Sequence, residues 1–227
     1  MKIVVLNIAS NVGKSTVARY LAPRLGVGSQ VFSVGFYASS RHNAYRGIDF
    51  DNLILDMTIV NDVVVDVDVS QLSCFVNSMH RQRGSHQDFD FFIIPTLANK
   101  KQISETILTI EKLHKIGVEK SRIRVIFNRV DLSSDVIRDI QPFIKHPSTS
   151  IYYPLSCATL EENEFFSRAQ GASINEVLAD TTDYKALIKS AESTEDKLSL
   201  AGKITVRRLA HRAKDQLDAV FNSLAIR

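Results

Sequence analysis

Lys2-Ile3-Val4-Val5-Leu6-Asn7-Ile8-Ala9-Ser10-Asn11-Val12-Gly13-Lys14-Ser15-Thr16 is the stretch on which the reading of this chain turns. Lys2–Ile8 is a short apolar run of β-rich residues and predicts a buried strand. Ser15–Leu25 spaces its apolar residues near three and four apart and predicts a helix, which Gly26 would stop. The loop Asn11-Val12-Gly13-Lys14-Ser15-Thr16 therefore follows a strand directly and opens a helix. Backbone N–H groups at such a helix start point toward bound phosphates, the helix dipole favours negative charge, and Gly13 lets the chain approach closely. Ser10, Asn11, Val12, Gly13, Lys14, Ser15 and Thr16 are the expected phosphate-binding residues. Lys14 would contact the β- and γ-phosphates and the Ser15 hydroxyl would ligate Mg2+. The plainer alternative is a Gly-Lys-Ser turn that merely caps a helix. The full pattern also has glycine five positions before Gly13, where this chain carries Ile8.

Outward from this stretch, short apolar runs alternate with helical patterns. Strands are predicted at Gln30–Phe36, Asp62–Val67, Phe89–Pro95, Arg122–Asn128 and Ser150–Tyr153, with an additional short strand near Leu53–Thr58. Val63-Val64-Val65 and Phe91-Phe92-Ile93-Ile94 are apolar at successive positions, which fits strands buried on both faces. Helices are predicted at Ser70–Met79, Ile103–Ile116 and Asp135–Ile144, with Gly117 as a stop. The expected fold is α/β, a mostly parallel sheet flanked by helices, with a C-terminal amphipathic helix. The pattern changes near Ser193, which divides the chain into a nucleotide-binding domain over 1–192 and a helical tail over 193–227.

Length and composition agree with one globular core. A chain of 227 residues with 44% hydrophobic residues and only 9 Gly and 5 Pro is neither collagen-like nor largely disordered. The two cysteines, Cys74 and Cys157, form no CxxC pair, so neither a disulfide framework nor a structural zinc site is expected, and a reducing cytoplasm is. The apolar start is far shorter than the ~20 residues of a membrane span, so neither a signal peptide nor a transmembrane helix is expected. The net charge of +3 is unevenly spread: from Lys197 to Arg227 seven basic residues face two acidic ones.

Two further strand ends carry polar residues. In Asp62-Val63-Val64-Val65-Asp66 the final carboxylate stands where it would hold Mg2+ through water, whereas Asp62 starts the strand and Asp68 competes for the role. The alternative is an exposed aspartate beside a turn. Val125-Ile126-Phe127-Asn128-Arg129-Val130-Asp131 ends a buried run with an amide that both donates and accepts, as recognition of a base edge requires. Asn128, Arg129 and Asp131 are accordingly candidate nucleotide-binding residues. The Asn-Arg-x-Asp order resembles the Asn-Lys-x-Asp element of GTPases, in which Asp131 would accept from guanine. The alternative has Asn128 capping the next turn and Asp131 solvated.

With these three elements in order, residues 1 to about 180 resemble the ParA/MinD group of deviant-Walker P-loop ATPases, and within it the plasmid stability branch. Ile93-Ile94-Pro95-Thr96 and Ala169-Gln170-Gly171-Ala172-Ser173-Ile174 share in the resemblance. It implies ATP rather than GTP, Mg2+, catalytic roles for Lys14 and Asp66, a nucleotide-dependent homodimer, and a DNA-binding partner protein in plasmid stability or partition. The group carries a second lysine early in the loop, where this chain has Ala9. It also has a water-positioning Asp after its second strand, where Phe32-Ser33-Val34-Gly35-Phe36-Tyr37 offers none, and Pro or Gly at the position of Asp68. Slow or partner-dependent hydrolysis follows. The rival readings are a small-molecule ligase or kinase resembling dethiobiotin synthetase, and a nucleotide-binding scaffold without useful turnover.

In the tail, Leu209, Ala213, Leu217, Val220 and Leu224 fall on one helical face, with Arg208, Arg212 and Asp215 off it. A closing helix packed on the domain is expected. A surface helix for anionic lipid, by analogy with the membrane-targeting tail of MinD, and a basic face for DNA are the alternatives.

Overall fold

Apolar residues at consecutive positions give strands that must be covered on both faces, and the computed structural model, which describes residues 1–35, 43–131 and 135–226, shows that arrangement. The strands are β1 (Lys2–Val5), β2 (Gln30–Val34), β3 (Ala44–Tyr45), β4 (Val63–Val67), β5 (Phe91–Leu97), β6 (Ile123–Val130) and β7 (Cys157–Glu161). They form one parallel sheet in the order β3-β2-β4-β1-β5-β6-β7. Val4, Val63, Val65, Phe92, Ile94, Val125 and Phe127 enter the core on one face, while Ile3, Val5, Val64, Ile93 and Ile126 enter the core on the other. Each such side chain contributes roughly 1.5–3 kcal/mol on burial.

The helices α2 (Phe50–Ile59), α3 (Val69–Arg81), α4 (Lys100–Lys115) and α6 (Gln141–Lys145) cover the first face. Opposite them lie α1 (Lys14–Leu25), α7 (Phe165–Arg168), α8 (Ile174–Ala179) and α10 (Thr194–Ser223). The short helices α5 (Val136–Asp139) and α9 (Tyr184–Ser190) complete the set among the described residues. After β4 the chain crosses to the far side of β1 to form β5, so the sheet order switches at β1 and leaves a crevice at the strand C-termini. The phosphate loop lies there.

Three expectations need correction. Leu53–Thr58 is part of helix α2, because Phe50, Leu53 and Met57 are buried at three- and four-residue spacing. Ser150–Tyr153 is a 3-10 turn with only Tyr152 buried, and the seventh strand is Cys157–Glu161. Asp135–Ile144 is broken into α5 and α6 where Pro142, lacking an N–H, stands at the start of the second helix. Phe36, Tyr37 and Arg227 lie outside the described residues.

Ser193 caps α10, its Oγ accepting from Asp196 N at 3.0 Å. Its second half is core. Ala210, Ala213, Leu217, Val220, Phe221 and Leu224 are buried against α1 and the sheet, and Arg124 Nε donates to Leu224 O at 2.8 Å. Leu198, in the first half, is exposed. The apolar face that a lipid-lying helix would insert is thus covered in this packing.

Candidate functional site

The chain leaves β1 through Leu6, whose N–H donates to Ile93 O at 3.0 Å, and reaches α1 through two residues with positive φ, Asn11 (58°) and Gly13 (91°). A Cβ on Gly13 would lie 2.3 Å from Asn128 Nδ2, so glycine is required both by the backbone and by the neighbour. Asn128, nearly buried at the end of β6, donates from Nδ2 to Val12 O at 2.9 Å and accepts the Arg129 N–H at Oδ1, also at 2.9 Å. Its amide therefore clamps the loop. Arg129 itself has φ 51°, held by that bond, and is exposed. Among the described residues no side chain caps α1, so the N–H groups of its first turn lack an intrahelical partner and face the crevice.

Lys14 is buried, and its Nζ donates to Ala9 O at 2.8 Å. Burial holds its ammonium below the ordinary lysine range, against the opposing pull of Asp68, Asp66 and Glu105. Asp66 sits near the end of β4, opposite Val5 of β1. Burial pushes its carboxyl above the ordinary range, while the Ser15 hydroxyl, Lys14 and Arg19 favour the anion. Among the described residues, Asp66 Oδ1 is buried without a hydrogen-bond partner.

Asp68 is engaged otherwise: it caps α3, its Oδ1 accepting from Ser70 N at 2.9 Å and Ser70 Oγ at 2.6 Å. Asp62 pairs with the Met1 amino group at 2.5 Å. No group of three or more His, Cys, Asp or Glu among the described residues forms a metal cage. The donors that are present, the Ser15 hydroxyl and the unmet Asp66 oxygen, suit Mg2+, which takes few protein ligands and completes its shell with phosphate and water.

From Gly13 a cleft of about 370 Å³ runs beside α1, lined by Thr16, Asn128, Arg129 and the Glu161–Ser167 segment after β7. A second hollow of about 320 Å³ shares Thr16, Arg129 and Phe166 and reaches Ala169–Ile174. Asp131 lies exposed just past β6. The structure thus brings Lys14, Ser15 and Asp66 together at one end and sets Asn128 and Arg129 at the start of the cleft. Sequence reasoning missed Arg19, Glu105 and Asn7; the last was visible as the one polar side chain inside the apolar run from Ile3 to Ile8.

No protein family matches the sequence, and no curated protein does. The fold does match solved structures. An McdA variant from Cyanothece in complex with ATP aligns over 100% of this chain and 96% of its own, with TM-score 0.56 and 13% identity. A Borrelia burgdorferi protein assigned to plasmid partition, bound to AMPPNP, aligns over 90% of this chain and 97% of its own, with TM-score 0.52 and 14% identity. MinD in the Aquifex aeolicus MinC:MinD cell division complex aligns over 92% and 96%, with TM-score 0.50 and 11% identity. At such identities the likeness is one of fold. No helix among the described residues is long and apolar enough to cross a membrane.

Proposed function

We propose that this chain is a nucleotide-binding ATPase of the ParA/MinD type that serves plasmid stability or positioning, most like the plasmid stability protein StbB. The observation that carries the reading is the pair of desolvated charges at the loop, Lys14 resting on a backbone carbonyl and Asp66 with a buried oxygen unmet. A triphosphate with Mg2+ supplies the charge partner each lacks. Lys14 would leave Ala9 O for the phosphates, the N–H groups of Gly13 to Thr16 would receive phosphate oxygens, and Ser15 and Asp66 would hold the metal, Asp66 through water. The metal neutralises phosphate charge. The cleft toward Asn128 and Arg129 receives the base, with ATP preferred over GTP.

Neighbours of this fold crystallised with ATP or AMPPNP, and one with its protein partner MinC, support nucleotide binding and a protein partner here. Ala9 favours slow turnover: its methyl is wholly buried and adds no cation beside the phosphates. A nucleotide-dependent homodimer and a DNA-binding partner complete the proposal. Titration with labelled ATP and GTP, with and without Mg2+, tests it. Mg2+-enhanced binding that ATP competes for better than GTP is expected, and the absence of triphosphate binding would reject the reading.

A further inference from the structure

Asn7 lies within the apolar start of the chain with no exposure at all, where a polar side chain must find hydrogen-bond partners. Its amide is fully used. Nδ2 donates to Pro95 O and to Thr106 Oγ1, each at 2.8 Å. Oδ1 accepts from Ala9 N at 3.0 Å and faces Thr109 Oγ1 at 2.9 Å, whose single proton is shared between Oδ1 and the Glu105 carbonyl one turn back at 2.8 Å. The carbonyl of Pro95 can only accept and the amide of Ala9 can only donate, so the orientation of the Asn7 amide is fixed by its neighbours. The same Thr109 oxygen accepts from Ile8 N at 3.1 Å, and Thr106 Oγ1 lies 2.7 Å from both Thr96 Oγ1 and the Gln102 carbonyl, between which its single proton is shared. Thr96, Thr106 and Thr109 are all buried.

We infer that Asn7, Thr106 and Thr109 are positioning residues, a buried polar network that pins the start of the phosphate loop, at Ile8 and Ala9, to helix α4. The inference rests on the reading of this loop as a phosphate site and names what sets its shape. Ala9 O receives Lys14 Nζ, so the network that places Ala9 also places the ammonium. Glu105, one turn before Thr109 on α4, acts electrostatically on the same lysine. Any displacement of α4 is therefore felt at the loop through hydrogen bonds most of which are buried.

The test uses the full chain with Thr109→Val, which keeps the shape and removes the hydroxyl, and Thr109→Ser, which restores it. Amide hydrogen exchange is read at Ile8 and Ala9 against Val4 and Val64 in the core, together with the dissociation constant for ATP with Mg2+. In Thr109→Val, exchange at Ile8 and Ala9 accelerates about tenfold while Val4 and Val64 are unmoved. ATP binds about fivefold more weakly, as expected when the start of the loop loses its Thr109 anchor, and Thr109→Ser recovers both. Exchange that rises equally in the core, failure of Thr109→Ser to recover, or unchanged ATP affinity in a protein that binds ATP overturns the inference. If Thr109→Val does not fold, Thr106→Val is read in the same way. If the wild type binds no triphosphate, the proposed function falls and exchange alone decides the network: local acceleration upholds it, and its absence overturns it.

Discussion

The phosphate-loop end of the sheet and the C-terminal helix both concentrate charge, and they treat it in opposite ways. On α10, Arg212 meets Glu161 at 2.8 Å, Lys214 meets Asp218 at 2.5 Å and Arg207 meets Asp180 at 3.4 Å, all at least partly in solvent. Arg24, from α1, joins Asp218 and donates to Asn222 at 2.9 Å. Pairs of this kind contribute about 0–1 kcal/mol each and turn the basic stretch inward, toward acids of its own chain. At the loop, Lys14 and Asp66 are desolvated, the lysine held by a carbonyl and the carboxylate incompletely bonded. Such charges cost folding free energy, and the proposed function supplies the ligand that would complete them. The count of basic residues along the sequence points to the tail; burial points to the loop.

Four substitutions put the contrast between loop and tail to the test. Leu217→Ala, at a wholly buried tail position, costs about 2–5 kcal/mol in denaturant unfolding, while ATP affinity of the folded protein is unchanged. A loss of affinity there would join the two regions that the comparison separates. Lys14→Ala weakens ATP about tenfold with no fall in melting temperature, because the side chain serves phosphate rather than the core.

Asp66→Asn acts in two directions: it abolishes the Mg2+-dependent gain in ATP affinity and it stabilises the ligand-free fold at neutral pH. The raised carboxyl binds protons in the folded state that the unfolded chain has already lost. Wild-type stability therefore falls as pH rises through the window between the ordinary carboxylate value and the raised one. The advantage of Asp66→Asn is full above that window and shrinks as pH drops through it, which melting curves from about pH 4 to about pH 7 would show. A constant difference across that range would remove burial as the cause. Arg212→Ala changes unfolding free energy by no more than about 1 kcal/mol, and less at high salt, as an exposed pair should.

Local signals carried most of the sheet and the candidate residues that are neighbours in sequence. Val63-Val64-Val65 and Phe91-Phe92-Ile93-Ile94 announce buried parallel strands because each residue needs cover whichever face it meets. Lys14, Ser15 and the glycine before them are neighbours in sequence, so their chemistry is legible without the fold. Ser150–Tyr153 misleads because Ile151, Tyr152 and Tyr153 are individually strand-like, whereas Cys157-Ala158-Thr159-Leu160 becomes a strand by lying beside β6. Leu53-Ile54-Leu55 misleads in a short window, and only the longer spacing from Phe50 to Met57 reveals a helix. Asn7 meets Thr106 and Thr109 across about a hundred residues of sequence, a separation no local pattern spans. Asn128 reads in sequence as a candidate for a base edge; its hydrogen bond to Val12, 116 residues away, is visible only in the fold.

On the proposed reading, the buried lysine of the loop waits on a phosphate. Equilibrium titration of ATP, with Mg2+ and with chelator, into the wild type and Lys14→Ala tests it most directly. Saturable binding by the wild type, strengthened by Mg2+ and about tenfold weaker in the variant, is the predicted result. Equal affinity in the two proteins, each shown to be folded, would contradict it.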